Sequence, residues 1–244
     1  MNSPTEMFPP EQFSEALLNA VAGYPLENTR AYHLLVSRKC PLSLIQRYAR
    51  STYLSTSLLC ATLPELIENA PNDTAKLVLL NNLLEEEGIH LSASKGLVVR
   101  PEARHPALAF RFAIACGADQ DLKKNPLSAV SQGRDFLSQG RWLEAIAFIL
   151  VGQELPFSHT STLIMNALIG QGYSAKDLGF FAVHREADKR HGQEALDLVI
   201  NNSHSREQQN AALQAAREGA HHVFSLHGGM AKKYLNHSDT EIKT

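Results

Sequence analysis

The chain has 244 residues, 44% of them hydrophobic and 20% charged, with 23 basic against 25 acidic side chains and a net charge of −2. That balance leaves no basic footprint for nucleic acid, and Arg, Glu, Gln or Asn interrupts every long apolar segment before the roughly 20 residues needed to span a bilayer. The start, MNSPTEMFPPEQF, has neither the basic nor the apolar region of a secretory signal, and Cys40, Cys60 and Cys116 are odd in number without a CxxC spacing, so a cytoplasmic protein with reduced thiols is expected.

A polar leader, 1–10, ends at Pro9-Pro10, and Glu11 to Val21 reads as a helix with Phe13, Leu17, Leu18 and Val21 on its apolar side. Gly23 to Arg38 is weakly periodic, with a short helix around Tyr32-His33-Leu34-Leu35-Val36. Pro41 sits at the start of a long amphipathic run from Leu42 to Asn69, in which Pro64 predicts a kink or break because it removes a backbone bond. Asn72 or Asp73 then caps a helix over Thr74 to Glu87, with Leu77, Leu80 and Leu84, and also Leu79 and Leu83, expected inward and Gly88 at its end.

Residues 88–104 carry two glycines and a proline and read as a long loop with at most a short extended piece. His105-Pro106 opens the next helix, which Gly117 stops. A polar connection over 119–125 leads past Pro126 to a helix carrying Val130, Phe136 and Leu137. Arg141 to Leu168 is a further long helix, interrupted by Pro156. Ser174 is the expected N-cap of a helix running from Ala175 to Asn201, and Ser205 with Gln208 makes a capping box for a last helix to about Asn236, followed by a polar tail, 237–244. No strand hairpin is recognisable. The chain therefore reads as all-α: a single domain, 1–244, built as an up-and-down bundle of about seven to eight helices.

Within FFAVHREADKRH, the side chains of His184, Asp188 and His191 fall within roughly 60° of one another on a helix turning about 100° per residue. Two imidazoles and a carboxylate on one stripe suit iron, manganese or zinc better than calcium or magnesium; without further ligands they could equally be solvated or salt-bridged. Two acidic residues fall at core-facing positions elsewhere. Glu86 continues the stripe of Leu79 and Leu83, although Glu85 and Glu87 compete for the inward place. Glu154 is the lone acid between Glu144 and Asp177, in a strongly apolar segment. Burying a carboxylate is costly, and a metal or a hydrogen-bonded partner would offset that cost. Tyr53, Phe157, Phe180 and Phe181 are candidates for a pocket wall, and Arg185 or Lys189 for pairing with an acidic substrate. Each of these also has a plain packing or solvated reading. Cys60 and Cys116 read as buried small hydrophobes.

Taken in order, LLEEEG at 83–88, HPALAFRFAIACG at 105–117, the isolated Glu154 and FFAVHREADKRH at 180–191 resemble the heme-oxygenase-like di-metal oxidases, the family that includes the CADD-like proteins and is related in fold to the PqqC and TenA groups. The resemblance spans about residues 80–195. It implies a heme-oxygenase-like fold and six metal ligands: Glu86, His105, Glu154, His184, Asp188 and His191. One departure concerns spacing, since Glu86 and His105 lie nineteen residues apart where some members keep the pair closer. Either 88–104 is an insertion, or His90 takes the place of His105.

The implied activity is that of a non-heme dinuclear iron oxidase, with two Fe ions (or Mn) and O₂ as co-substrate. It would act on a small amino-acid-like or carboxylate-containing substrate by N-oxygenation, oxidative decarboxylation or carbon–carbon cleavage. The alternatives are a CADD-like interaction bundle and a TenA-like hydrolase without metal, the latter needing a cysteine nucleophile such as Cys116. A small-molecule partner, no nucleic acid, no membrane and a homodimer complete the expectations.

Overall fold

A computed structural model describes residues 6–92, 94, 96–118, 122 and 131–238, and for 91, 131 and 227–238 the backbone alone. The first half of the leader, most of the predicted connection at 119–125, Val130 and the end of the tail lie outside the described residues.

Helices α1 (Pro10–Ala22), α2 (Arg30–Val36), α3 (Leu42–Glu68), α4 (Asp73–Glu86), α5 (His105–Ala115), α6 (Ser131–Ser138), α7 (Trp142–Ile146), α8 (Phe157–Gly170), α9 (Gly179–Asn201) and α10 (Arg206–Ser238) account for most of the chain. Local chemistry sets several ends. The Asn72 side chain accepts from Ala75 N at 2.9 Å to cap α4, and its amide reaches Asn202 at 2.8 Å, tying the start of α4 to the end of α9. At α10 the Ser205 hydroxyl accepts from Gln208 N at 3.1 Å, while Gln208 reaches back to His204 N at 2.7 Å.

Several expectations need correction, beginning with Leu18, which is 44% exposed because α1 buries the face of Phe13, Leu17, Ala20 and Val21. Pro64 does not break α3: it sits on the exposed side near the helix end, where a single missing N–H falls in the last turns and the apolar face is untouched. Leu77 and Leu80 are exposed at 60% and 40%, because α4 buries the face of Ala75, Leu79, Asn82 and Glu86. Ser174 forms a turn with Asp177, its oxygen accepting from Asp177 N at 3.3 Å and its hydroxyl donating to the carboxylate at 2.6 Å, and α9 begins only at Gly179.

Finally, 88–104 is not a plain loop. It folds as an antiparallel hairpin of β1 (Ile89–Ser92) and β2 (Gly96–Val99), with Ile89 opposite Val99 and Ser92 opposite Gly96. Leu97 and Val99 are largely exposed, so no alternation of burial marked the strand in the sequence. The hairpin closes where it began: Arg100 N donates to Gly88 O at 2.8 Å. Gly88 has φ +68°, and a Cβ there would stand 2.4 Å from Arg100 O, so glycine answers both the left-handed backbone and the close approach. The excursion thus leaves the end of α4 and returns to it, which sets His105 beside Glu86.

Two apolar cores organise the bundle. One gathers Phe13, Leu17, Leu63, Leu66, Leu79 and Ile146–Val151; the other gathers Ile45, Ala49, Leu108, Phe112, Ile164 and Phe181. Helix α9 serves both, with Phe180 and Phe181 in the second and Ala195, Leu196, Leu198 and Val199 in the first. His184, Asp188 and His191 lie between these groups. On α3 the same seam falls between Ala49 and Leu59, where the buried residues are Thr52 and Thr56.

Between α7 and α8 the backbone runs as a π-helix over Ala147–Glu154, a wider coil that the sequence reading took as ordinary α-helix. Its apolar residues from Ala147 to Gly152 are all buried. Helix α10 lies directly on it: a Cβ on Gly152 would stand 2.6 Å from Ala216 O, and one on Gly219 would stand 2.2 Å from Phe148 O. Two bare backbones are therefore in contact at this crossing.

Candidate metal centre

The last turn of α4, the first residue of α5, the end of the π-helix and the middle of α9 converge on the seam between the cores. Glu86 is 1% exposed, His105 3%, His184 5%, Asp188 1% and His191 2%. Glu154 as a residue is only half-buried, yet both of its carboxylate oxygens are sealed from solvent and unpartnered. The oxygens carry the chemistry, so their burial is the measure that counts.

Glu86 Oε1 lies 2.6 Å from His105 Nδ1, although the ring nitrogen is not aligned for a hydrogen bond. Glu86 Oε2 accepts from the Cys60 thiol at 3.7 Å. The His105 and His184 rings stand 4.4 Å apart between centroids, and one donor atom each from Glu86, His105 and His184 lie within 4.8 Å of one another. His184 Nδ1 is 2.8 Å from Phe180 O. A carbonyl can only accept, so the proton sits on Nδ1 and Nε2 keeps its lone pair.

On the other side of the seam, His191 Nδ1 is 3.6 Å from Asp188 Oδ1, while its Nε2 is 3.2 Å from Glu85 Oε2. Glu85 also accepts from Arg190, which is bonded in turn to Glu194 at 3.2 Å.

Electrostatics binds these groups into one cluster. Burial pushes Glu154 well above the usual carboxylate range, and the nearby charge of Asp188 adds to the effect. Burial likewise pushes Glu86 up, but the charge and contact of His105 outweigh it and hold the carboxyl below its ordinary value. For His184, burial prevails and lowers the imidazole. Burial opposes the charge on His191 too; contacts with Asp188 and Glu85 overcome it and hold the ring up to about 10. The hydrogen bond from His191 in turn takes Glu85 down to about 2.

Of the sequence candidates, Glu86, His105 and His184 bring donor atoms together, Asp188 lies beside His191, and Glu154 is linked to Asp188 and His191 by charge, whereas His90 is exposed on β1. Glu87 pairs with Arg104 at 2.6 Å, away from the centre. Phe157 and Phe180 flank the His184 ring at 5.3 Å and 4.1 Å and line a cavity of about 130 Å³ that reaches Glu154 and His184. Phe181 belongs to the core, and Tyr53 packs on Phe110 in a separate outer groove. Arg185 and Lys189 are exposed and bonded to Glu186 at 3.0 Å and 3.1 Å. Cys116 is buried, which pushes its thiol up to about 11.

Sequence reasoning missed three neighbours of the cluster. Cys60, read as a plain hydrophobe, holds Glu86; Glu85, read as a rival to Glu86, holds His191; and Asn82 is buried beside Glu86 on the inward face of α4. For Asn82 a signal existed, since it lies one helical turn before Glu86 on the same face of α4.

The donor set fits a redox metal. Three nitrogens and three carboxylates form the mixture that suits iron or manganese, and among the described residues no Lys or Arg pairs with Glu86, Glu154 or Asp188. Both Glu154 oxygens, Asp188 Oδ2, His105 Nδ1 and His191 Nδ1 are buried without a hydrogen bond. Buried polar atoms left in this state call for an explanation, and a cation supplies one.

A family model described as iron-containing redox enzyme matches residues 43–223. No curated protein sequence matches the chain. Among solved structures, it is similar to a TenA homologue from Pseudomonas syringae pv. tomato str. DC3000, with TM-score 0.71 and 15% identity over 91% of this chain and 92% of that one. It is also similar to a domain of unknown function with a heme oxygenase-like fold from Shewanella denitrificans OS217, with TM-score 0.66 and 14% identity over 94% and 95%. At these identities the likeness is one of fold, and the fold is heme-oxygenase-like. No helix among the described residues is long and apolar enough to cross a membrane.

Proposed function

The chain belongs to the iron-containing redox enzyme family, and on that premise we propose that it is an oxidase using two iron ions held by Glu86, His105, Glu154, His184, Asp188 and His191. The observation that carries this reading is the set of buried ligand atoms left without hydrogen bonds in a seam sealed by two apolar cores. Iron bound by such a donor set supplies one-electron redox steps and open positions for dioxygen.

The protein's own groups perform the rest. The Phe180 carbonyl fixes the His184 tautomer, and Glu85 orients His191 through its Nε2. Cys60 steadies Glu86 from the side away from His105. The aromatic walls of Phe157 and Phe180 exclude water from the approach to His184. The cavity beside Glu154 and His184 then receives a small organic substrate.

Anaerobic titration with Fe(II) tests the reading: about two ions should bind per chain, as a six-ligand dinuclear site requires. Replacing both His184 and His191 by alanine should remove most of that capacity. A native chain that binds no iron, or a double variant that binds as much, would sink the proposal. Exposure of the Fe(II) form to O₂ should change the visible spectrum, and parallel Mn(II) loading separates the two metals. A hydrolase of the TenA kind needs a thiolate. Burial together with the Glu86 charge pushes Cys60 up, and burial raises Cys116. That alternative predicts that Cys60→Ser or Cys116→Ser abolishes activity while metal content stays unchanged.

A further inference from the structure

The cavity of about 130 Å³ beside Glu154 and His184 is asymmetric in chemistry. Its apolar side comes from Leu59, Ile149, Phe157, Phe180 and Leu226; Gln153, Glu154 and His184 are polar lining at the proposed centre, and the remaining polar wall is one face of α3, where the pairs Ser51-Thr52 and Ser55-Thr56 repeat one helical turn apart. Thr52 and Thr56 are 8% and 6% exposed. The Thr52 hydroxyl is engaged with Tyr48, donating to its carbonyl at 3.0 Å. The Thr56 hydroxyl donates to Thr52 O at 2.8 Å, so its oxygen has lone pairs to offer and no proton. The Ser51 and Ser55 hydroxyls make no hydrogen bond to another described side chain or carbonyl.

A ligand group placed on this face must therefore be able to give a hydrogen bond to Thr56 and can exchange one with either serine. Hydroxyl and N–H groups meet that condition, whereas an ionised carboxylate can accept from the serines but gives nothing to Thr56, and the described lining holds no Lys or Arg to offset its charge. The volume is close to that of protein cavities that hold a benzene ring, so a single ring is a fitting probe of the apolar wall.

We propose that this cavity binds a compact, uncharged molecule whose apolar body lies against Phe157, Phe180 and Leu59 and whose O–H or N–H donor is read by Ser51, Ser55 and Thr56. Calling this occupant the substrate rests on the reading of Glu154 and His184 as part of the reactive centre. The binding itself does not. The proposal also departs from the carboxylate-bearing substrate expected from the sequence, for which the cationic candidates Arg185 and Lys189 lie exposed on the outside of α9.

Calorimetric titration with benzyl alcohol, toluene and benzoate tests it, on metal-free protein and on the anaerobic Fe(II) form. On the metal-free protein benzyl alcohol should bind about tenfold more tightly than benzoate, because the described lining holds no Lys or Arg to offset the burial of a carboxylate charge. On the Fe(II) form, where a carboxylate would also bind iron, benzyl alcohol is compared with toluene and should bind more tightly. Ser55→Ala with Thr56→Val keeps the shape of the wall and should weaken benzyl alcohol about tenfold while toluene stays within about twofold. Ser51→Ala, a milder change on the same face, should weaken benzyl alcohol in the same direction if the double variant does not fold. Benzoate binding the metal-free protein as tightly as the alcohol, or all three probes weakening alike in the variants, would overturn the inference. Iron failing to load while the order of the probes holds would remove the dinuclear reading and leave the cavity as assigned. Iron loading normally with no preference for the alcohol would remove the cavity inference alone.

Discussion

Glu85 and Glu86 are adjacent in sequence yet face different partners. The end of α4 turns Glu86 into the seam against His105, while Glu85, one residue earlier, meets His191 and Arg190 at the edge. A carboxylate on one ring nitrogen fixes which nitrogen faces inward, and loss of such a partner typically costs 10- to 100-fold in metal affinity. Glu85→Ala is accordingly expected to weaken metal binding by about that factor without unfolding the chain, and Glu85→Gln, whose amide oxygen still accepts, to weaken it less. Competition with a chromogenic chelator measures both, and unchanged affinity in the alanine variant would refute the role. Glu154 allows a prediction for the metal-free chain. Its folded pKa lies well above the ordinary 4.5, so between those limits the folded protein holds a proton that the unfolded chain has released. Stability is therefore lost as pH rises from about 4.5 toward the folded value. Glu154→Gln removes that loss; Asp188 and Glu85 remain to hold the His191 charge. In chelator-treated protein the variant should be more stable than the parent by roughly 1–3 kcal/mol near neutral pH. The gap should close near pH 4, as measured by urea melts at both pH values. A variant less stable at neutral pH would contradict the assigned burial cost.

At the scale of elements, the π-helix places Glu154. Its wider coil shifts the phase of the segment, and the contact of Gly152 with Gly219 brings α10 onto it with no side chain between. Gly219→Ala puts a methyl where Phe148 O already stands, and overpacking of this kind costs about 1–3 kcal/mol. The expected result is a lower melting temperature together with weaker metal binding, since the strain falls six residues from Glu154; unchanged melting would show that the crossing is looser than described. These features also mark the limit of the sequence. Periodicity located α3, α5, α9 and α10 because each has an apolar face and a polar one, and the same logic selected Glu86 from three consecutive glutamates. Ala147–Gly152 is apolar all round, so its pattern could not distinguish a π-helix from an α-helix. The hairpin at 89–99 was illegible because its side chains are largely exposed, and Leu77 and Leu80 misled because leucine on a surface is common. Five of the six candidate ligands, Glu86, Glu154, His184, Asp188 and His191, stood out because acidic residues and histidines are rare on core-facing stripes, whereas His105 entered only through the family resemblance, with His90 as its rival. Cys60 did not, since a buried cysteine ordinarily needs no partner.

For the whole molecule, the centre joins parts that the two cores leave separate. α4, α5, the π-helix and α9 each contribute a candidate ligand at the seam, and in the metal-free chain the Glu86 and Asp188 carboxylates there have imidazoles as their charge partners among the described residues. Filling each core stabilises its own half, at about 1.5–3 kcal/mol for each fully buried large apolar side chain, but the seam between them gains nothing from that term. A cation that binds the folded chain and not the unfolded one adds its binding energy to folding, about 2.7 kcal/mol at a hundredfold excess over Kd. For a chain of this size each kcal/mol raises the melting temperature by about 2–4 °C, so loading with Fe(II) under anaerobic conditions should raise it by roughly 5–10 °C and a chelator should reverse the gain. The stabilisation should also be local. Amide hydrogen exchange is expected to slow most at the end of α4, the start of α5 and the middle of α9, while α1 and the outer part of the hairpin keep their rates. Removing His184 by substitution with alanine should shrink both effects together. A melting temperature indifferent to iron, or protection that rises evenly through the bundle, would mean that the metal does not hold the seam and that the two cores are joined by packing alone.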